Sequence, residues 1–301
     1  MRGPGPSPSP RTGREQTVNS SFAKGLSILD YFQEGRISAH LDDLVEALGT
    51  SRATTYRYLG TLCDAGLLAS MAGGVYVLGP RIVELDRLMR ISDPLLTAGS
   101  KLMHEVAARR KLNMMLASFY RDSIMCVDIA WPDATIARHF ERGRPMSLFR
   151  GAMAKIILAH LSPYQLRNMA LHHADEIRAA GLGANWAEFR SHMAQLARQG
   201  HAITRAEMVA GTGGISAPIF DPEGKVLGSI TFVVAESRWE ETDFDRLRVA
   251  IIETAQRITA GIARHKEAGA AGPAPEPPPS LAAARKRRTA PAKHKHKEKR
   301  A

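Results

Sequence analysis

The sequence predicts an α+β chain in two parts: a small N-terminal unit of three helices closed by a hairpin, and a larger C-terminal unit in which strands alternate with helices. Three observations predict it. Apolar residues recur at helical spacing three times within residues 20–65, then give way to two short apolar runs separated by glycines. Beyond residue 111 the pattern changes to strands alternating with helices. The 301 residues also suit two domains, at ~100–200 residues each, with appendages left over.

Residues 1–17 are mostly Pro, Gly, Ser and Arg and hold almost nothing apolar to offset chain entropy, so a disordered arm is expected there. Ser20 or Ser21 can cap a first helix with Phe22, Leu26, Leu29 and Phe32 on one face, ending near Gly35. A second helix is expected over 40–48, with Leu41, Leu44, Val45 and Leu48 inward and Gly49 as its stop. It opens on His40, which leaves Ser38 as the expected cap. A short turn later, Thr50 or Ser51 caps a third helix over 52–65 whose stripe of Thr55, Tyr58, Leu59 and Leu62 faces a core. Apolar runs over 67–70 and 75–78 flank Met71, Ala72, Gly73 and Gly74, and the two glycines suit a tight hairpin. This order is that of a winged helix-turn-helix, bounded at residues 18–80.

A linker region over 81–98 follows, with a helix from 80 to 90, and Pro94 starts another helix that reaches 111. Strands are expected over 114–120 and 124–131 around the turn Arg121-Asp122, and a third over 134–140. Helices over 149–161, 164–172 and 186–198 come next, then strands over 200–204, 214–220 and 226–234. The last two of these join through Asp221-Pro222-Glu223-Gly224, where Pro presets a type I turn. A final helix over 242–265 carries Phe244, Leu247, Ile251, Ile258 and Ile262 inward and closes a second domain over 99–265. Residues 266–301 are a Pro/Ala spacer and a basic block that repels itself, expected as a disordered tail.

The formal net charge of +11 invites a nucleic-acid reading, but residues 266–301 alone hold ten Lys/Arg against three Glu. Residues 18–80 hold four Lys/Arg against six Asp/Glu, so the case for DNA rests on local pattern. No apolar run approaches the ~18–20 residues of a spanning helix, and the N-terminus offers no apolar core for export, so a cytoplasmic protein without membrane contact is expected. Cys63 and Cys126 stand far apart and suggest neither a disulfide framework nor a zinc site.

The core stripe of the third helix leaves Ser51, Arg52, Thr54, Tyr56 and Arg57 on or near its other side. Arg can donate a bidentate pair to guanine, Thr can serve base edges, and Tyr and Ser reach phosphate oxygens. Duplex DNA is therefore the expected partner, with the helix in a major groove and the Gly73-Gly74 hairpin on the backbone or minor groove. The plainer reading makes Arg52 and Arg57 solvated charges on a surface helix.

The segments FAKGLSILDYF, GTSRATTYRYLGTLCDAGLL and GGVYVLGPRIVEL, followed by GRPMSLFRGAMAKIILAHL and GHAITRAEMVAGTGGISAPIFDPEGKVLGSITFVV, resemble in order those of the IclR-type transcription regulators, over residues 18–265. The resemblance implies a GAF-like effector domain, with an antiparallel sheet and flanking helices, for a small carboxylate-bearing or aromatic metabolite. It also implies a homodimer or a dimer of dimers on DNA. Carried over position by position, the pocket involves Ala152, Met153, Thr204, Gly214, Ser216, Thr231 and Val233, with amides at the start of the helix placed to receive a carboxylate. Thr204 stands where the family often has an acidic residue, Gly214 where it often has Cys, and Val233 where a Ser-like residue occurs. Phe149 and Arg150 replace a frequent His-Ala pair. These departures imply a larger or more apolar ligand, or weakened binding.

No nucleophile–base pair, cofactor motif or HExxH spacing occurs, so no catalytic residue, cofactor or metal is expected. His172, His173, His192 and His201 read as surface or half-buried histidines, and Gly211 to Gly214 as turn glycines rather than a phosphate loop. Two other readings stay open at this point: a DNA-binding protein with a vestigial pocket, and a small-molecule-binding enzyme or sensor whose N-terminal helices only dimerise it.

Overall fold

A computed structural model describes residues 20–120 and 122–270. The arm expected over 1–17 and most of the basic tail lie outside the described residues. The chain divides into two units, Met1–Ala263 and Arg264–Ala301.

In the first unit the N-terminal part runs α1 (Ser21–Ser27), a 3-10 turn (Ile28–Tyr31), β1 (Ser38–His40), α2 (Leu41–Leu48), α3 (Arg52–Asp64), β2 (Leu68–Met71) and β3 (Val75–Leu78). Ser20 caps α1 by accepting from Ala23 N–H at 3.1 Å. The residue expected to cap α2 does something else. Ser38 lies in β1, paired with Val77 of β3, and the helix opens on His40, whose N–H donates to Asp43 Oδ2 at 2.7 Å. That bond is the carboxylate half of a capping box, in which the third helical residue accepts the N–H of the cap residue, and β1 makes the wing a three-stranded sheet in the order β1-β3-β2. Ile28, Leu44, Leu59, Leu62 and Leu68 form the core of this part. Each contributes about 1.5–3 kcal/mol by leaving water.

Helix α4 (Arg81–Ser92) ends at Asp93, whose carboxylate accepts from Leu95 and Leu96 N–H and so caps α5 (Pro94–Arg110). Then come β4 (Asn113–Tyr120), β5 (Ser123–Ala130), β6 (Pro145–Met146), α6 (Ala152–Ala159), α7 (Pro163–His172), α8 (Ala174–Ala179), α9 (Trp186–Gln199), β7 (Ala202–Arg205), β8 (Thr212–Phe220), β9 (Val226–Ala235) and α10 (Phe244–Ala270). The strand expected over 134–140 is irregular chain instead. Asp133 folds the segment on itself by accepting from Thr135 N–H and Oγ1, and Trp131 Nε1 donates to the Ile136 carbonyl, so the backbone is satisfied locally rather than by a neighbouring strand. α8 was not expected, and α10 runs on to Ala270.

The six strands form one antiparallel sheet in the order β6-β5-β4-β9-β8-β7. The period-two alternation assigns its two faces: Met115, Ala117 and Val233 pack with α6, α7 and α9, whereas Met114, Leu116, Ile230 and Phe232 pack with α5 and α10. Both faces are covered, which is why the central strands are apolar almost throughout.

Candidate functional site

Helix α3 buries Thr55, Leu59 and Leu62 and exposes Ser51, Arg52, Tyr56 and Arg57, with Thr54 half-buried. The exposed residues are not equally free. Ser51 accepts from Thr54 N–H at 3.3 Å, which caps the helix, and donates to Thr54 Oγ1 at 3.0 Å, which ties the two hydroxyls together. The Arg52 guanidinium is paired with Asp42 of α2. Arg57 lies over the Tyr58 ring, 5.9 Å from its centroid. Tyr56 is 64% exposed, and Arg57 beside it is exposed as well. At the wing tip Gly73 and Gly74 both take positive φ, 78° and 73°, and both are exposed.

The second constellation is built by strand register. Thr204, Gly214 and Val233 stand side by side across β7, β8 and β9, and Ala202, Ser216, Thr231 and Met115 form the next row on the same face. Helix α6 begins over these rows. Six of the seven residues carried over from the resemblance, Ala152, Met153, Thr204, Gly214, Thr231 and Val233, line one cavity. Ser216 stands behind the wall, its hydroxyl bonded to that of Thr231. The cavity holds about 30 Å³, the room of about one or two water molecules.

Several lining residues escaped the sequence reading: Met115, Phe140, Gly151, Glu207, Met208, Thr212 and Gly213. Gly151 takes φ 84°, and a Cβ there would come within 2.6 Å of Met208 Cγ, so glycine is required by conformation and by space. Its N–H donates to Glu207 Oε2 at 3.0 Å, and Lys155 Nζ lies 2.6 Å from Glu207 Oε1. This pair sits beside His192, whose pKa is lowered by burial first and then by the Lys155 charge, with Glu207 opposing. Behind β8, the Trp239 ring lies on the bare Cα of Gly213, where a Cβ would be 2.0 Å from the ring. Arg205 covers that ring and pairs with Glu236 and Glu240. Cys126 is buried with its thiol pushed up to about 12, chiefly by desolvation, and is inert as a nucleophile. A wider hollow of about 690 Å³ between α10 and the β8–β9 turn contains none of the expected residues.

Phe140 connects the cavity to the N-terminal part. Two residues on, Arg142 donates from Nε to the Val127 carbonyl at 2.8 Å and from Nη2 to Asp86 Oδ1 of α4 at 2.5 Å. That bond holds the Asp86 carboxyl below its ordinary pKa against a smaller desolvation effect. Arg144 Nη2 lies 3.2 Å from Glu34 Oε2. Among the described residues no group of three or more His, Cys, Asp or Glu could hold a metal ion, and no helix is long and apolar enough to cross a membrane.

A winged helix-turn-helix joined by a linker helix to a sheet domain with an internal cavity defines a ligand-responsive DNA-binding protein. The family comparisons specify which. Residues 21–70 match the IclR helix-turn-helix domain and residues 92–260 match the family described as bacterial transcriptional regulator IclR C-terminal. The chain therefore belongs to the IclR family of transcription regulators, DNA-binding proteins with a C-terminal effector-binding domain rather than enzymes. It is similar to the HTH-type transcriptional regulator KipR of Bacillus subtilis, 23% identical over 82% of this chain and 98% of that protein. Among solved structures, an IclR transcriptional regulator from Silicibacter superposes with a TM-score of 0.66 at 25% identity, covering 81% of this chain and 96% of that one. An IclR homologue from Microbacterium hydrocarbonoxydans, solved with 4-hydroxybenzoate, gives a TM-score of 0.66 at 18% identity, over 83% of this chain and 100% of that one. The expected fold and family are thus borne out, and the reading as an enzyme with dimerising N-terminal helices is set aside.

Proposed function

We propose that this chain acts in the cytoplasm as a homodimer that reads two operator half-sites with residues 18–80 and is switched by a small molecule held in residues 99–265. Tyr56 and Arg57 supply the groove contacts, Arg52 contacts the backbone once Asp42 releases it, and Ser51 and Thr54 hold the start of α3 in position. Gly73 and Gly74 let the wing approach the sugar–phosphate backbone closely. The cavity bounded by Ala152, Met153, Thr204, Gly214, Thr231 and Val233, with Ser216 steadying Thr231, receives the effector. The observation that carries this reading is the gathering of six of these residues, drawn from four separate elements, around one internal space.

The dimer rests on α4. This helix buries none of its residues, yet Val83, Leu85, Leu88, Met89 and Ile91 are all at least 40% exposed. An apolar helix left bare in one copy is what a second copy would cover. Its Asp86 is held by Arg142, so displacement of Phe140 by a ligand would pull on the helix that sets half-site spacing. The test is binding of the full chain to its own upstream DNA against scrambled DNA across salt concentrations. Preference for one fragment, lost in Arg57→Ala, supports the reading; equal and weak binding to every fragment, unchanged in the variant, overturns it.

A further inference from the structure

We propose that the effector of this cavity is an uncharged molecule, apolar or aromatic and bearing a hydroxyl or carbonyl oxygen, because the cavity wall already carries an acidic group, the protein's own Glu207, bound at the start of α6. The inference rests on the reading of the cavity as the effector site and specifies its ligand class.

The Gly151 N–H and the Lys155 ammonium, two of the donors at the start of α6 that would serve an anionic ligand, each already have one oxygen of Glu207, at 3.0 and 2.6 Å. The Lys155 side chain is only 12% exposed, so it cannot trade this partner for bulk water at little cost. Glu207 is also the one ionisable side chain among the lining residues described. A ligand carboxylate brought into the cavity would meet a fixed negative charge with the local cation already spent, and like charges a few ångströms apart disfavour each other's ionised form. At the Gly151 N–H, the anion-receiving role is therefore taken by an internal group.

The remaining wall is made of Met115, Phe140, Met153, Met208 and Val233, with neutral hydroxyls at Thr204 and Thr231. Hydroxyls donate or accept equally well, which suits an alcohol, phenol or carbonyl. The space is narrow as it stands, but three of its five apolar walls are unbranched methionines, which repack with little strain. Met208 and Glu207 lie on a segment bounded by two left-handed positions, Ala206 at φ 54° and Gly211 at φ 80°. Met208 can swing out to admit a ligand while Glu207 stays anchored to α6.

The experiment uses matched probes differing in one charge, benzoate against benzyl alcohol and 4-hydroxybenzoate against 4-hydroxybenzamide, titrated into the full wild-type chain and into Glu207→Ala. Thermal shift and tryptophan fluorescence are the readouts; Trp131 lies 6.2 Å from the Phe140 ring. In the wild type the neutral member of each pair should bind at least tenfold more tightly. In Glu207→Ala, with circular dichroism unchanged, the carboxylates should gain at least tenfold, and Lys155→Met in the same chain should abolish that gain. If Glu207→Ala does not fold, the wild-type ranking decides alone. Carboxylates that bind the wild type as tightly as their neutral partners overturn the ligand class and leave the cavity as the effector site. A wild type that binds no probe, with a variant that gains the carboxylates, supports the filled position. Binding of no probe to either chain overturns the cavity reading itself.

Discussion

Helix α3 presents the residues proposed to face DNA from one continuous stretch, residues 51–57, over a small core of its own around Leu44, Leu59 and Leu62. The cavity takes its wall from β4, the chain before β6, the start of α6, β7, the segment after it, β8 and β9. The first site is fixed by one helical period and one cap. The second exists only while strand register, a glycine at positive φ and an internal ion pair all hold together. A surface site tolerates substitution of its neighbours, whereas an assembled interior site transmits the loss of any one wall to the others.

Four substitutions sharpen or break that contrast, taken from the largest expected effect to the smallest. Phe232→Ala removes a fully buried ring from the sheet face under α5 and α10. It should cost the C-terminal part about 3–5 kcal/mol. Chemical denaturation followed through the tryptophans, all of which lie beyond residue 130, should show the loss, and an unchanged midpoint would break the comparison. Arg57→Ala should weaken operator binding by about 1–3 kcal/mol, roughly 5- to 150-fold, while leaving the melting temperature unchanged. Fluorescence anisotropy on labelled DNA measures the first and calorimetry the second.

Gly213→Ala places a methyl against the Trp239 ring and the Thr204 carbonyl. Overpacking of this kind costs about 1–3 kcal/mol, and the Trp239 emission should shift as the ring is displaced. The smallest effect belongs to Asp86→Asn. The Asp86 carboxyl has a lowered folded pKa through Arg142, so the stabilisation it contributes is present above its unfolded pKa and is lost as pH falls through the lower folded value. The side chain is 36% exposed, so the effect is screened, and its loss is expected on the acid limb, below about pH 4. Wild type and variant should therefore diverge in stability at pH 7 and converge in acid. In a DNA-release assay at neutral pH the variant should bind both DNA and ligand yet respond less to the ligand; a full response would remove Asp86 from the coupling route.

Helices α2 and α3 and the hairpin were legible because each follows from neighbours along the chain, an apolar stripe, a cap or a glycine stop, whereas the first helix stops at Ser27 rather than near Gly35 and leaves Phe22 and Leu26 exposed. The exceptions there are also local. β1 was missed because a strand of three residues has no measurable period, and Ser38 does not cap α2 because β1 takes it into the wing sheet while Asp43 accepts the His40 N–H. In the C-terminal part the strands with a clean alternation were readable. The strand expected over 134–140 was not formed, because an Asp133 turn satisfied the backbone first.

By itself, then, the sequence determined the α+β class, the order of the elements and the face of α3 that turns outward, since these depend on periodicity and capping within about a dozen residues. Through its resemblance it also pointed to six residues that line one cavity. Only the tertiary structure decided what kind of cavity that is. The meeting of Glu207 with Gly151 and Lys155, across more than 50 positions, and of Phe140's neighbour Arg142 with Asp86 across 56, is set by sheet register and helix packing. No local pattern encodes those contacts, because their free energy is gained only after the intervening chain has folded.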